Sequence, residues 1–401
     1  MLRFDDIRFD CALYNGYKPC RYGNECAGCP FYAPLAPGGD STGKPVMPAD
    51  PVLSRSPFKR VLIIKTGAMG DVLRTTTLLP ALQRAYPVLQ ITWITDRSAI
   101  PLLRANPHIH EQREMNEATA AVIASRDFDL LLNFEKEKEP LALAGRVRAT
   151  ERIGFAPTQW NTATVYNPES QYALLLGLSD ELKFRRNTKT YPEIIAEMAG
   201  LPYVRDHYVL GLTPESARRR AELEPLLSHD DRLRIGLNTG CGAVFRTKQW
   251  TLEGWVDLVH FLQQQTHADI LLLGGKAESE LNREILTRTS GVIDTRVDNT
   301  LEEFFGVVDA CDVVVTSDSL AMHIAIALRK YVVALFGSTS HVEVDLYDRG
   351  EKVVTDFACS PCYLKVCDKT PTCMQAMSGR TVGEAVIRGI ALISGPAATR
   401  V

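Results

Sequence analysis

The sequence predicts an α/β protein of two doubly wound domains in tandem, preceded by a cysteine-rich extension. Its 401 residues exceed what one hydrophobic core usually supports, so at least two domains are expected. Short, unbroken apolar runs alternate with stretches whose apolar residues recur at helical spacing, as in buried parallel strands joined by helices. This pattern starts at RVLIIKT (60–66) and restarts at RLRIGLNTG (232–240), so two such units follow one another.

The first unit opens as a βαβ arrangement, and the second repeats the plan. In the first, the predicted elements are the strand 60–66, a helix over DVLRTTTLLPALQRAYP (71–87), and strands ITWIT (91–95), DLLLNFE (129–135) and ERIGF (151–155). In the second, they are strands 232–240, DILLLGG (269–275), VVVTS (313–317) and YVVALFG (331–337), and helices over 251–265, from Lys276, over 301–312 and around 322–328.

The domain boundaries follow from this plan. We assign residues 1–58 to a cysteine-rich knuckle and a linker rich in Pro, Gly and Ser, 59–205 to the first domain and 206–401 to the second. Ligands of doubly wound sheets bind beyond the carboxyl ends of the strands, so we expect a site where two such domains face one another across a cleft.

The charge balance excludes a broad nucleic-acid surface, because 45 basic and 48 acidic residues leave a formal net charge of −3. The amino-terminal MLRFDDIRFD is acidic where a signal peptide is cationic, and no uninterrupted apolar run of about 18 residues occurs. We therefore expect a cytoplasmic chain without a transmembrane segment. Peripheral membrane contact and oligomerisation stay open.

The turn KTGAMGD (65–71) lies where the first strand meets the first helix. Gly67 and Gly70 allow a tight turn with close approach of another group. Asp71 then lies at or near the start of the helix, where it is either a helix cap or a base that takes a proton from an acceptor hydroxyl.

Three segments of the second unit offer groups for a nucleotide sugar. NTGCGAVFRTKQW (238–250) supplies small residues with Arg246 and Lys248, which suit an anionic group such as a pyrophosphate, although Lys248 alone also reads as a solvated loop lysine. In TSDSLAMHIA (316–325) we expect Asp318 to cap a helix that Ser319 opens and whose first turns carry Met322 and His323; the alternative is a core-facing histidine. Glu278 follows a glycine turn and suits a ribose hydroxyl.

Eight of the ten cysteines form two quartets. Cys359, Cys362, Cys367 and Cys373 follow C-x2-C-x4-C-x5-C, and Cys11, Cys20, Cys26 and Cys29 follow C-x8-C-x5-C-x2-C. Four thiolates suit tetrahedral zinc or a mononuclear iron, and a closed four-sulfur site has no open position for catalysis, so a structural brace is expected. The amino-terminal quartet also fits a partner-docking knuckle.

Three of these segments together resemble glycosyltransferase family 9, the ADP-heptose heptosyltransferases of bacterial lipopolysaccharide assembly. The resemblance covers roughly residues 60–395. It rests on RVLIIKTGAMGDVLRTTTLLPALQRAYP, on Lys248 and Trp250 of RTKQW, and on TSDSLAMHIAIALRKYVVALFGSTS. The chain departs from the family pattern at Ser338, where proline is usual, and at Leu320, where glycine is common.

The resemblance implies a GT-B fold, with an acceptor-binding first domain and a second domain that binds the donor. It places the catalytic base at Asp71, the phosphate-binding lysine at Lys248, and donor contacts at Asp318 and His323, with Thr239 and Gly240 lining the same loop. Such enzymes invert the anomeric centre without a catalytic metal. The carboxy-terminal quartet resembles that of autotransporter heptosyltransferases, which carry iron there.

We therefore expect an inverting glycosyltransferase that moves a heptose or related sugar from an ADP-linked donor to an acceptor hydroxyl. Lipopolysaccharide core, a protein side chain and a small molecule all remain open as acceptors. The alternatives are a GT-B-like sugar-nucleotide epimerase, which needs no acceptor, and a metal-knuckle binding protein on an inactive transferase scaffold.

Overall fold

The computed structural model describes residues 2–16, 18–20, 26, 28–35, 43–45, 59–228, 232–242 and 245–394. The chain divides into two compact units, Met1–Val209 and Leu210–Val401. Most of the predicted linker before residue 59 lies outside the described residues. Within the described residues, no helix combines the length and the apolar character needed to cross a bilayer.

The first unit is built on a six-stranded sheet of order β3-β2-β1-β4-β5-β6. Its strands are β1 (Lys59–Ile64), β2 (Leu89–Thr95), β3 (Glu111–Glu114), β4 (Asp127–Asn133), β5 (Arg148–Pro157) and β6 (Ala163–Val165). β1 to β5 pair in parallel, whereas β6 is antiparallel to β5. The central β1 lies between β2 and β4, and Val61 to Ile64 are fully buried because helices cover both faces of such a sheet.

The helices of the first unit follow its strands. They are α1 (Met69–Thr75), α2 (Leu78–Ala85), α3 (Ile100–Leu103), α4 (Glu117–Ala124), α5 (Lys138–Arg146), α6 (Gln171–Leu178) and α7 (Tyr191–Met198). Short 3-10 turns lie at Phe4–Asp6, Arg97–Ala99 and Pro168–Ser170, and a π turn lies at Leu182–Arg186.

The single helix expected over residues 71–87 is in fact two helices, α1 and α2. Pro80 has no backbone N–H and cannot bond back to the carbonyl of Thr76, so a continuous helix loses a hydrogen bond there. As the third residue of α2, Pro80 needs no such donor. At the break, the hydroxyls of Thr76 and Thr77 donate to the carbonyls of Leu73 and Arg74 at 2.6 and 2.9 Å.

The second unit repeats the plan with a six-stranded parallel sheet of order β12-β11-β10-β7-β8-β9. Its strands are β7 (Arg234–Asn238), β8 (Asp269–Leu273), β9 (Val292–Asp294), β10 (Val313–Ser317), β11 (Tyr331–Phe336) and β12 (Gly350–Val354). Its helices are α8 (Pro214–Leu223), α9 (Leu252–Gln265), α10 (Ser279–Arg288), α11 (Leu301–Asp309), α12 (Leu320–Ala327) and α13 (Gly379–Ser394), with 3-10 turns at Glu224–Leu226, Arg246–Lys248 and Lys276–Glu278.

Each unit has its own apolar core between its sheet and its helices. In the second unit, Trp255 of α9 is fully buried against a cluster that includes Leu237 of β7, Val315 of β10 and Val386 of α13. In the first unit, Leu62 and Ile64 of β1 are buried in a cluster with residues of α4 and α5. Because parallel strands end at the same edge, the polar residues that follow β1, β2 and β4, or β7, β8 and β10, converge there.

Candidate active site

At the carboxyl edge of the first sheet, a buried ion pair joins the residues that follow β1 and β4. Lys65 Nζ lies 2.5 Å from Glu135 Oε1, and the backbone amide of Thr66 donates to the same oxygen at 2.9 Å. Burial alone would lower the pKa of Lys65, but the carboxylate of Glu135 and the nearby Tyr191 and Asp71 raise it above its ordinary value. Lys65 is therefore a charged ammonium that fixes the turn leading to α1.

Asp71 lies in the first turn of α1, but it is not the helix cap. The cap position is Ala68, which makes no side-chain capping bond. The Asp71 carboxylate instead forms an ion pair with Arg74 at 2.9 Å, and 37% of the Asp71 side chain is exposed against 12% of Arg74. The pair thus holds an accessible carboxylate in one orientation.

Arg74 is fixed in turn by an aromatic ring from α7. Its guanidinium lies 3.8 Å from the centre of the Tyr191 ring, a cation–π contact. The Tyr191 hydroxyl lies 2.8 Å from the hydroxyl of Thr75, and burial raises the pKa of Tyr191. Sequence reasoning missed Tyr191, since nothing local links it to a turn more than 100 residues earlier; it also missed Lys65 and Glu135, although each directly follows an apolar strand.

At the carboxyl edge of the second sheet, the structure brings together two of the predicted donor-binding residues. Lys248 Nζ lies 3.5 Å from Asp318 Oδ2, and the two side chains are 15% and 22% exposed. The expectation that Asp318 caps α12 is wrong, because Ser319 occupies the cap position. Asp318 precedes the cap, which leaves its carboxylate in contact with Lys248.

The loop after β7 is held by hydrogen bonds rather than by apolar packing. The Asn238 amide donates to the carbonyl of Gly240 at 2.9 Å, and the Thr239 hydroxyl donates to Asn282 of α10 at 2.6 Å. Glu278 accepts from the amide of Gly275 at 3.0 Å, and a β-carbon at residue 240 would lie 3.2 Å from the Glu278 carboxylate carbon. Gly240 therefore lets this loop approach Glu278 closely.

The remaining predicted donor contacts lie at the start of α12. The Ser319 hydroxyl lies 3.0 Å from the hydroxyl of Thr316, at the end of β10. Met322 is fully buried and His323 is 5% exposed. Their role in donor binding stays a prediction. The same holds for Thr239, whose hydroxyl already donates a hydrogen bond to Asn282.

The carboxy-terminal cysteine segment contacts the same loops. The Thr247 hydroxyl lies 2.7 Å from the carbonyl of Leu364 and 3.0 Å from the Ser338 hydroxyl. The amides of Cys362 and Tyr363 both donate to the carbonyl of Ser338, at 3.1 and 2.8 Å. The segment between Cys359 and Cys373 thus ties the loop that carries Lys248 to the loop after β11.

All ten cysteines are free thiols. Burial raises the pKa of Cys373, and the neighbouring Cys362, Cys367 and Cys359 raise it further. Across the described residues, no three His, Cys, Asp or Glu side chains are already grouped to hold a metal ion. Metal binding by either quartet therefore stays a prediction.

The sequence profile of Glycosyltransferase family 9 (heptosyltransferase) matches residues 171–372. The chain belongs to this family. Over 317 residues it is 20% identical to lipopolysaccharide core heptosyltransferase OpsX of Haemophilus influenzae, a match that covers 76% of this chain and 86% of OpsX. The chain is accordingly a glycosyltransferase, as its motifs predicted.

Several solved glycosyltransferase structures share the fold. A glycosyl transferase family 9 protein from Veillonella parvula has a TM-score of 0.66 at 17% identity, covering 83% of this chain and 97% of that one. E. coli heptosyltransferase WaaC with ADP-2-deoxy-2-fluoro heptose has a TM-score of 0.57 at 16% identity, with coverages of 82% and 99%. The iron-containing dodecameric glycosyltransferase TibC of E. coli reaches 0.52 at 13%, with 85% and 78%. The predicted GT-B fold class is confirmed.

Proposed function

We propose that this glycosyltransferase moves a heptose, or a closely related sugar, from an ADP-linked donor to an acceptor hydroxyl with inversion at the anomeric carbon. The observation that carries the proposal is the pair of Lys248 and Asp318 at the carboxyl edge of the second sheet, beside a glycine-containing loop. That edge is where doubly wound sheets bind nucleotides. It also supplies one cation that suits a diphosphate.

Departure of the sugar leaves negative charge on the diphosphate, and this charge needs partners that are already in position. In our proposal Lys248 provides the ammonium, and the amides of Gly240 and of the start of α12 provide N–H donors. Thr239, whose own amide donates to the carbonyl of Leu273 at 3.4 Å, lines the same loop. Glu278 accepts from a ribose hydroxyl. His323 and Ser319 contact the donor from α12, and Met322 supports that turn from the core.

Asp71 is the proposed general base. Its carboxylate accepts the proton of the acceptor hydroxyl while the acceptor oxygen forms the bond to the anomeric carbon. The bond from that carbon to the diphosphate oxygen breaks on the opposite face, and ADP leaves with the bonding electrons. Arg74 keeps the carboxylate oriented without being consumed, at a distance of 2.9 Å.

Two comparisons support the choice of substrates. WaaC, a similar structure, was solved with an ADP-linked fluoroheptose, and OpsX, a relative over most of the chain, is a lipopolysaccharide core heptosyltransferase. ADP-heptose and lipopolysaccharide core are therefore the first donor and acceptor to test. Protein and small-molecule hydroxyls form the second and third acceptor classes.

We also propose that the carboxy-terminal quartet, Cys359, Cys362, Cys367 and Cys373, holds a structural zinc or iron ion. Four thiolates suit either metal and leave no position for substrate. Such an ion would stiffen the segment that contacts Thr247 and Ser338. Its chemistry is structural, and no step of the transfer passes through it.

The test is turnover of a panel of nucleotide sugars by the wild-type chain, with and without each acceptor class. Asp71→Asn should lower kcat by about 10²- to 10⁴-fold, because it removes general-base catalysis. The exposed Asp180→Asn variant is the matched control and should keep wild-type activity. Loss of donor without any acceptor would support the epimerase instead, and failure of every ADP-sugar to bind or react would overturn the proposal.

A further inference from the structure

The cysteine-rich extension encloses a small cavity that all four of its cysteines line. Cys11, Cys20, Cys26 and Cys29 border a volume of about 30 Å³. A single water needs roughly 10–15 Å³ of such space, so the cavity has room for one small occupant. Apolar side chains, among them Leu178 of α6, form most of the remaining wall, and Arg8, Asn15 and Lys18 also border it.

The four thiols have the properties of ligands rather than of core residues. All are free and partly exposed, whereas a structural free cysteine is usually fully buried. The backbone amide of Arg8 hydrogen-bonds to Cys26, and the amide of Cys29 donates to the carbonyl of Cys26 at 3.3 Å, which closes a C-x2-C turn.

The extension has little regular structure to hold it together. Its described residues before position 46 contain one 3-10 turn, Phe4–Asp6, and one isolated bridge between Cys11 and Pro34. Small segments that have as little regular structure as these described residues commonly use a cross-link or a metal to keep one conformation. None of the four cysteines forms a disulfide in this structure, so a metal is the cross-link that their side chains could provide.

The extension nevertheless docks at a defined place on the first unit. The Tyr14 hydroxyl donates to the carbonyl of Ala163 at 2.7 Å, and the hydroxyl of Thr164 donates to the carbonyl of Gly43 at 2.7 Å. Phe9 is buried, and a β-carbon at Gly16 would lie only 2.7 Å from Ala163. The extension therefore lies against β6, the last strand of the sheet.

We propose that Cys11, Cys20, Cys26 and Cys29 bind one structural Zn²⁺ ion that fixes the extension against β6. Four cysteine thiolates form the closed tetrahedral set that structural zinc prefers. The sulfurs border the cavity without yet forming a ligand group, so binding draws them inward. Each thiol loses its proton to solvent as its sulfur bonds to zinc. This site is independent of glycosyl transfer and of the donor loops.

Zinc content of the purified full chain tests the assignment. The Cys26→Ser and Cys29→Ser variants should each contain one zinc ion less per chain than the wild type. Cys311→Ala, which removes a thiol outside both quartets, should retain the wild-type amount and is the matched control. Cobalt(II) substitution should give thiolate-to-metal absorption that weakens in the same two variants. Unchanged zinc in both variants would overturn the proposal.

A measurement on the wild-type chain guards against variants that do not fold. With zinc present, alkylation followed by mass spectrometry should find Cys11, Cys20, Cys26 and Cys29 protected. After chelation all four should become reactive together, and added zinc should restore protection, whereas magnesium should not. Equal alkylation of Cys29 with and without zinc would contradict the site, and so would a disulfide among the four in the freshly purified chain.

Discussion

The carboxyl edges of the two sheets share a topology but differ in chemistry. The edge of the first sheet has a buried ion pair, Lys65 with Glu135, and the partly exposed carboxylate of Asp71. The edge of the second has hydrogen-bonded loops and the cation Lys248. The first edge therefore holds a candidate base beside a buried ion pair, and the second offers hydrogen-bond donors and a cation to an anion. This difference agrees with the proposal that the first unit binds the acceptor and the second binds the nucleotide sugar.

The largest expected effect comes from the buried pair of the first edge. Glu135→Gln leaves the Lys65 ammonium buried without its partner and should lower the free energy of unfolding of this unit by about 3–5 kcal/mol. Denaturant unfolding measures the loss. Glu280→Gln, which breaks an exposed ion pair with Arg283, is the control and should cost less than about 1 kcal/mol.

The same pair predicts a pH dependence. The pKa of Lys65 is raised in the folded state. The contribution of its charge to the free energy of unfolding is therefore complete below the ordinary pKa of lysine, and it is lost only as the pH rises through the folded-state pKa. Stability differences between wild type and Glu135→Gln should therefore persist from neutral to mildly alkaline pH. A difference already lost by about pH 8 as the pH rises would mean that the folded-state pKa of Lys65 is lowered rather than raised.

The second edge should respond in ligand affinity rather than in stability. Lys248→Met should weaken ADP binding by about 10- to 100-fold, since a hydrogen bond to a charged group contributes about 1.5–3 kcal/mol. Lys248→Arg should retain part of the affinity. Isothermal titration calorimetry compares these with Lys276→Met, an exposed lysine after β8 that should bind like the wild type. An equal loss of ADP affinity in the Lys248→Met and Lys276→Met variants would mean that Lys248 contributes only its general positive charge and no specific contact.

The smallest effect concerns the contact between the donor loop and the carboxy-terminal cysteine segment. Thr247→Val removes the hydroxyl that lies near Leu364 and Ser338, so KM for the donor should rise by a few-fold, about 1 kcal/mol, with kcat nearly unchanged. Thr289→Val, which removes a hydroxyl bond at the end of α10, is the control for steady-state kinetics. A fall in kcat without a change in KM would show that the segment acts on the chemical step.

Strands and turns with strong local signals could be predicted from the sequence. The apolar runs of β1, β4, β7, β8, β10 and β11 are buried on both faces, so composition alone reveals them. β3 has the sequence EQRE and lies at the sheet edge, where polar residues reach solvent. It therefore contains no apolar run from which a strand could be predicted. The short β6 and β9 depend on pairing with β5 and β8 and carry little signal of their own.

The candidate site divides in the same way. Asp71 and Lys248 lie in the segments KTGAMGD and NTGCGAVFRTKQW, at the ends of β1 and β7, so the composition of these segments points to them. Tyr191 acts through a ring contact with Arg74 that only the tertiary structure creates. The cap of α12 was predicted one residue too early, at Asp318 instead of Ser319. Asp and Ser are both good capping residues, so the sequence DS alone does not show which of the two has the cap conformation.

The placement of β6 has a consequence for handling the protein. An uncovered edge strand is a template on which strands of other molecules can assemble. The Tyr14 hydroxyl donates a hydrogen bond to the carbonyl of Ala163 on β6, so a strand of another molecule cannot pair with that carbonyl. The extension therefore hinders aggregation through β6. Chains that lack residues 1–58 should form oligomers through β6 even where the two units themselves stay folded.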